Sequence, residues 1–224
     1  MTIKKIKPVS NSRRNTVLID YKKTLVVNRK KKRIRSLFKI VKKKSGRNNQ
    51  GRITIRHQGG QKKRFYRLIS FGPHGKRKEI EVGKIKSIEY NPNSNSFISL
   101  VRYEESGKLG FVITNEGQKI NDRIVSSKKE AIPIEIGNSL PLRFIPVNTF
   151  ISNIELRVGD GGKLIRAAGS FAEVKSHDKK EKTVTVQLKS KEIRKINENC
   201  MATIGKIGNS ECSSVKLGKS GRKR

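Results

Sequence analysis

The chain has 224 residues, and its 53 Lys and Arg against 18 Asp and Glu give a formal net charge of +35. Such self-repulsion opposes a compact state in isolation and points to a polyanionic partner, nucleic acid first and an anionic membrane surface second. Two cysteines without a CxxC, three scattered histidines and no apolar run near the roughly 20 residues of a membrane span argue against a disulfide scaffold, a zinc module and a transmembrane protein.

The charge is unevenly placed. Residues 1–67 hold 24 basic residues and one acid, Asp20, for +23; residues 68–204 hold 23 and 16, for +7; the last twenty hold six and one, for +5. This partition predicts a basic arm (1–64), two β-blocks (65–127 and 128–204) and a basic tail (205–224). The N-terminus lacks a secretory apolar region, and Pro8 interrupts any amphipathic helix there, so the basic arm is expected to begin at once. Abundant Lys, Ile and Asn with no Trp suggest an AT-rich genome.

Within residues 1–44, KPVSNSRR precedes a short apolar patch, Val17, Leu18 and Ile19. RKKKRIRSLFKIVKKK follows. Ile34, Leu37, Phe38 and Val41 fall at i, i+3, i+4 and i+7, which predicts a basic amphipathic helix. Membrane-surface or calmodulin-type binding is the alternative for that element.

Residues 45–67, SGRNNQGRITIRHQGGQKKRFYR, are the densest stretch. Arg47, Arg52, Arg56, Lys62, Lys63, Arg64 and Arg67 are cationic, with no acid among them. Gly46, Gly51, Gly59 and Gly60 allow close backbone approach. Asn48, Asn49, Gln50, Gln58 and Gln61 offer amides, and His57, Phe65 and Tyr66 offer flat rings. The mixture predicts an extended segment lying on structured RNA, with a solvated basic loop as the plain alternative.

From Phe65 the pattern turns to short strands: FYRLISF (65–71), a turn at GPHG (72–75), EIEVGKIKSIEY (79–90), a turn at NPNSNS (91–96), then a hairpin of FISLVRYE (97–104) and LGFVITN (109–115). A last strand is expected near Ile120–Val125. Five strands in so short a span suit a small OB-type barrel, with an open sheet as the alternative. The second block reads RFIPV (143–147), FISNIELRV (150–158), GSFAEVKSHD (169–178), TVTVQLK (183–189) and EIRKI (192–196). In TVTVQLK, Val184, Val186 and Leu188 share one face, the half-buried antiparallel pattern. HDKKEK (177–182) is its hairpin loop. No internal repeat relates the blocks.

VGDGGKLIRAAGS (158–170) is a second Gly-rich basic stretch, but Leu164 after Lys163 breaks the GxxxxGK[ST] nucleotide-binding spacing. It reads as an RNA-contacting loop, in which Asp160 is an awkward negative charge, or as a plain tight turn. His57 suits stacking or phosphate contact, and His74 and His177 fall in expected solvated turns. Cys200 reads as a small buried residue and Cys212 as a loop residue. No catalytic set, metal site or cofactor is expected. A DNA-compacting protein or nucleic-acid chaperone is the second class that the charge allows.

The basic arm, GRNNQGRITIRHQGG, the OB-like block, GGKLIRAAGS and the second barrel, in that order, resemble large-subunit ribosomal protein two of the bacterial and organellar type. The likeness runs from KPVSNSRR (7–14) to ATIGKIGNSE (202–211) and LGKSGRKR (217–224), leaving 21–44 divergent. It implies an OB-fold followed by an SH3-like barrel, both set in large-subunit rRNA. It also implies roles in assembly, in subunit association and near the peptidyl transferase centre. Carried over, it makes Arg47, Asn48, Gly51, Arg52, Arg56, His57, Gly59 and Gly60 an rRNA-embedded arm, and Lys62, Lys63, Arg64 and Arg67 its entry to the first barrel. Gly161, Gly162, Lys163, Arg166, Ala168 and Gly169 match a second-barrel loop, and Lys206, Gly208 and Asn209 the exit from that barrel. Ser94 stands where the family commonly has arginine, and Asp160 replaces a usually basic residue. The family's Gly-, Pro- and His-rich C-terminal extension has no counterpart, so a separate polypeptide supplying it is one expectation. Expected partners are large-subunit rRNA and neighbouring ribosomal proteins, with no membrane. The expected location is a mitochondrial ribosome with the protein encoded in the organelle; a plastid or reduced bacterium is the alternative.

Overall fold

A computed structural model describes residues 3–25, 34–41, 44–58, 63–71 and 80–222. The expectations for Gly59, Gly60, Lys62 and the turn at 72–75 with His74 lie outside these residues.

The N-terminal segment holds β1 (Ile3–Lys5), α1 (Asn11–Arg14), β2 (Val17–Ile19) and α2 (Tyr21–Thr24). β1 and β2 pair antiparallel, Ile3 opposite Ile19. Asp20, the lone acid of the first 67 residues, caps α2 by accepting the Lys22 N–H at 3.1 Å. Ile19 is buried in a cluster with Ile85, Phe97 and Tyr103, and Cys212 and Val215 of the tail pack on the same cluster. Val17 and Lys216 exchange both backbone hydrogen bonds, at 2.9 and 3.0 Å. Residues 3–25 thus share a layer with the tail, against the first block.

The helix expected around Ile34–Val41 is replaced by a 3-10 turn at Arg35–Leu37 and β3 (Phe38–Ile40). β3 pairs with β4 (Phe65–Arg67), Phe38 opposite Arg67. A helix would set Arg35 above Lys39, a like-charge pair at i,i+4. The turn-and-strand path instead keeps Ile34, Leu37 and Phe38 on a cluster of Ile98, Leu100 and Phe111. Val41 is exposed. β4 is also shorter than the strand expected over 65–71, which continues only as a parallel bridge from Ile69 to Phe111.

β5 (Ile80–Glu89), β6 (Ile98–Tyr103), β7 (Leu109–Ile113) and β8 (Arg123–Ser127) form the first block, in the order β8-β5-β6-β7. β6 buries residues on both faces. Val101 and Tyr103 enter one cluster, and Ile98 and Leu100 the other, which explains its nearly unbroken apolar run. At Gly83 an added Cβ would lie 2.4 Å from Val101 Cγ1, so the pairing with β6 requires glycine there.

The second block contains β9 (Ser139–Pro141), β10 (Phe150–Ser152), β11 (Ile154–Glu155), β12 (Gly162–Leu164), β13 (Ala172–Asp178), β14 (Thr183–Leu188), β15 (Ile193–Asn197) and β16 (Met201–Ile204). Val184 and Val186 are fully buried, as the alternation required. Two expected strands change. RFIPV is a 3-10 turn at Leu142–Phe144 followed by loop, because Pro141 and Pro146 bracket it and remove ladder donors. FISNIELRV breaks at Asn153, whose φ is +51°. His177 lies on β13 rather than in a solvated turn, and its Nε2 donates to the Ile145 carbonyl at 2.8 Å.

A parallel bridge between Ser126 and Ser139 joins β8 to β9, so ten strands run as one sheet, β15-β14-β13-β10-β16-β9-β8-β5-β6-β7. Asparagines stitch the junction. Asn115 Nδ2 donates to the Ile204 carbonyl at 2.6 Å, and Asn138 Oδ1 accepts from the Val125 N–H at 2.8 Å. The fold is all-β, with an OB-type unit followed by an SH3-like unit.

Candidate nucleic-acid interface

Residues 44–58 form a small hairpin rather than the extended segment expected. Arg47 bridges Ile53 antiparallel. Between them the Asn48 N–H donates to the Arg52 carbonyl at 2.9 Å, and the Arg52 N–H donates to Asn48 Oδ1 at 2.9 Å. Gly46 accepts backbone bonds from Thr54 and Ile55 at 2.9 and 3.1 Å. A Cβ at Gly46 would lie 2.1 Å from the Ile55 carbonyl oxygen, and Gly51 has φ +82°. These glycines are therefore demanded by the turn itself. Residues 51–58 are all exposed. The hairpin is closed by its own backbone bonds and turns Arg47, Arg52, Arg56 and His57 to solvent, with Ile53 and Ile55 exposed beside them.

Lys63 and Arg64 lead into β4. Arg64 Nη1 donates to the Pro92 carbonyl at 2.6 Å, and Asn93 Nδ2 donates to the Phe65 carbonyl at 3.2 Å. These bonds tie the arm strand to the 91–96 turn. The Arg67 guanidinium lies over the Phe38 ring at 5.3 Å.

The Gly-rich stretch behaves differently from a phosphate loop. Glu155, 4% exposed, accepts the Gly159 and Gly161 N–H groups at 3.3 and 3.0 Å and the Met201 N–H at 3.1 Å. The loop's anion-seeking amides already hold an internal carboxylate. Sequence reasoning missed Glu155, because nothing in FISNIELRV distinguishes it from a solvent-facing strand residue. Gly162 is structural, since an added Cβ would meet Asn153 Oδ1 at 2.1 Å. Gly169 packs on Ser210, Gly208 donates to the Thr114 carbonyl, and Asn209 Nδ2 reaches the Asn95 carbonyl at 2.6 Å. Arg166 stands over the Phe71 ring at 4.9 Å. Lys206 lies over Phe150 and Phe171, at 4.4 and 4.8 Å. The aromatic backing of these cations was not legible in the spacing.

Of the residues expected to contact RNA, the structure leaves the hairpin cations, Lys63, Lys163 and Arg166 at or near the surface, while Gly162 is buried. Two family models match the chain. "Ribosomal Proteins L2, RNA binding N-terminal domain" covers residues 34–126, and "Ribosomal Proteins L2, C-terminal domain" covers residues 135–224. Large ribosomal subunit protein uL2 of Mycoplasmoides gallisepticum is 44% identical over 227 residues, spanning 100% of this chain and 77% of the relative; uL2 of Wigglesworthia glossinidia brevipalpis matches at the same identity and coverage. The chain belongs to the uL2 family. Membership makes it a structural protein of the large ribosomal subunit that binds rRNA, of the bacterial type that the sequence resembled.

In this uL2-family chain Asp160 is not left facing an anion alone. Lys163 Nζ donates to Asp160 Oδ2 at 2.8 Å, and that bond holds the carboxyl below its usual range. The exposed pair offsets one cation at the surface. Replacing Asp160 with Asn is expected to release Lys163 for phosphate and to steepen the salt dependence of rRNA binding by about one ion; a filter-binding salt series reads this directly. Cys200 is fully buried, and burial, then the neighbouring Glu155 and Asp160, push its thiol up to about 11. It stays protonated and packs as a small apolar residue.

Proposed function

We propose that the chain binds large-subunit rRNA through a basic segment (1–64), an OB-like unit (65–127), an SH3-like unit (128–204) and a basic tail (205–224). It supports assembly, subunit association and the architecture around the peptidyl transferase centre, beside neighbouring ribosomal proteins. The contact set comprises Arg47, Asn48, Arg52, Arg56 and His57 on the hairpin, Gly59, Gly60, Lys62, Lys63, Arg64 and Arg67 beyond it, and Lys163, Arg166 and Lys206 on the second unit. Gly51, Gly161, Gly162, Gly169 and Asn209 act by shaping the backbone that carries these cations. The observation that carries the reading is the exposed hairpin of 44–58, which holds three arginines and no acid. Counterion release supplies its affinity, and shape supplies its selectivity.

Among the described residues, the stretch expected as a basic amphipathic helix is instead a 3-10 turn and the strand Phe38–Ile40. The ribosome concerned is bacterial in type. The chain's many Lys, Ile and Asn residues suit an AT-rich organellar genome, mitochondrial before plastid, and the two bacterial relatives are compatible with a reduced bacterium. On fractionation the protein should co-sediment with large subunits through a high-salt wash. Release at moderate salt, with recovery on DNA, would support a DNA-compacting protein instead.

A further inference from the structure

A cleft of about 240 Å³ lies where the chain leaving β7, residues 114–118, meets the chain leaving the second unit, residues 208–211. Among the described residues its lining carries two carboxylates, Glu116 and Glu211, and no lysine, arginine or histidine. The composition runs against that of the chain, which has 53 Lys and Arg to 18 Asp and Glu. The cleft shared by Arg67 and Arg166 has the opposite character, with no carboxylate in its lining. Phosphate is repelled by the Glu116 cleft, so its ligand is not the rRNA backbone. We propose that this cleft binds a primary alkylammonium ion, the group carried by small aliphatic diamines and by lysine side chains.

Acceptors dominate the walls. Asn115 is 2% exposed. Its Nδ2 donates to the Ile204 carbonyl at 2.6 Å and to Ser152 Oγ at 3.4 Å, which fixes the amide and leaves Oδ1 without a hydrogen bond. Asn209 repeats the arrangement. Its Nδ2 donates to the Asn95 carbonyl at 2.6 Å, and its Oδ1 again has no partner. Native proteins rarely leave buried polar atoms so, unless a water, an ion or a ligand answers them. Both side chains line the cleft, so the negative ends of two fixed amide dipoles lie in its wall. Glu116 adds a full charge. One of its oxygens accepts from Ser210 Oγ at 3.2 Å, and among the described residues no cation pairs with it. Ile88 and Phe97, both buried, supply apolar lining. An ammonium group answers this set, because it has three donors and no acceptor and bonds a carboxylate with charge assistance. Its methylenes match the Ile88 and Phe97 side chains. Magnesium keeps several waters, which an apolar wall cannot hold. The volume lies below the roughly 300–1,000 Å³ of pockets for drug-sized ligands, which fits a short aliphatic cation.

The test uses the full chain, isotope-labelled for NMR, at constant ionic strength. The probes are putrescine, N-acetyl-lysine amide and magnesium chloride, each titrated separately. An amine should shift the side-chain amide signals of Asn115 and Asn209 saturably. Glu116 is exposed, so Glu116→Gln keeps the fold and an acceptor for Ser210 while removing the charge. It should weaken amine binding about tenfold, the loss of one hydrogen bond to a charged group. Glu104→Gln removes an equal charge from a residue outside the lining, paired with Arg123 at 3.6 Å, and should leave amine affinity within about twofold. Tighter binding of putrescine than of the lysine derivative assigns the cleft to a free diamine, and the reverse order assigns it to a lysine side chain. No saturable shift with either amine, equal weakening by the two substitutions, or the same shifts from magnesium chloride at lower concentration overturns the proposal. The rRNA-binding reading stands in each of these cases, since no cation of the 44–58 hairpin takes part.

Discussion

Replacing Arg47, Arg52 and Arg56 together with alanine is expected to weaken binding to large-subunit rRNA about a hundredfold near 0.1 M salt, and to flatten the salt dependence by about two to three ions. Each arginine is exposed on the 44–58 hairpin, where it contributes charge and little packing. The hairpin's own bonds are backbone bonds, together with one from the Arg52 N–H to Asn48 Oδ1 at 2.9 Å and one from Thr54 Oγ1 to the Gly46 carbonyl at 3.3 Å. Truncating the three side chains removes none of them. Thermal unfolding and the β-sheet circular dichroism signal should therefore match those of the unaltered chain. Filter binding over a salt series measures the affinity and the slope together. Unchanged affinity with an altered sheet signal would reverse the division of labour between a binding hairpin and a folded body.

Which parts of this architecture could be read in advance follows the reach of the interactions involved. β14 was legible because Val184 and Val186 alternate with polar residues over consecutive positions, and burial follows that alternation directly. The hairpin's cations were legible as chemistry but not as shape. Gly46 and Gly51 mark its turn only once the Ile55 carbonyl is known to approach Gly46. The segment Ile34–Val41 shows how a period misleads. Ile34, Leu37 and Phe38 do meet one core cluster, yet they do so from a turn followed by a strand, because β4 offers Phe38 a partner far along the chain. Contacts between distant segments left no trace in local pattern. The Val17–Lys216 pairing, the Asn209–Asn95 bond and the meeting of Arg67 with Arg166 across one cleft belong to this group. They are also what turns a list of basic residues into a surface with a shape.

The same distinction decides what the Gly-rich loop does, and Glu155 tests it. The carboxylate is 4% exposed and accepts backbone N–H groups from Gly159, Gly161 and Met201. It thereby fastens the loop to the start of β16. Glu155→Ala leaves these donors without their acceptor, and a buried donor left unsatisfied costs about 1–3 kcal/mol. Partial access of water to the loop glycines reduces the sum, so the expected loss is about 3 kcal/mol. For a chain of this length that is roughly a 10 °C fall in the unfolding midpoint, which calorimetry resolves well. Glu155→Gln keeps one acceptor oxygen and turns an N–H₂ group towards the remaining donors, so it should recover only part of the loss. The contrary outcome is equally readable. If the loop amides exist to hold rRNA phosphate, freeing them in Glu155→Ala should tighten binding to rRNA while leaving the unfolding midpoint in place. The geometry requires the reverse order of effects: stability falls first, and rRNA affinity falls with it, because Lys163 and Arg166 lose the frame that positions them.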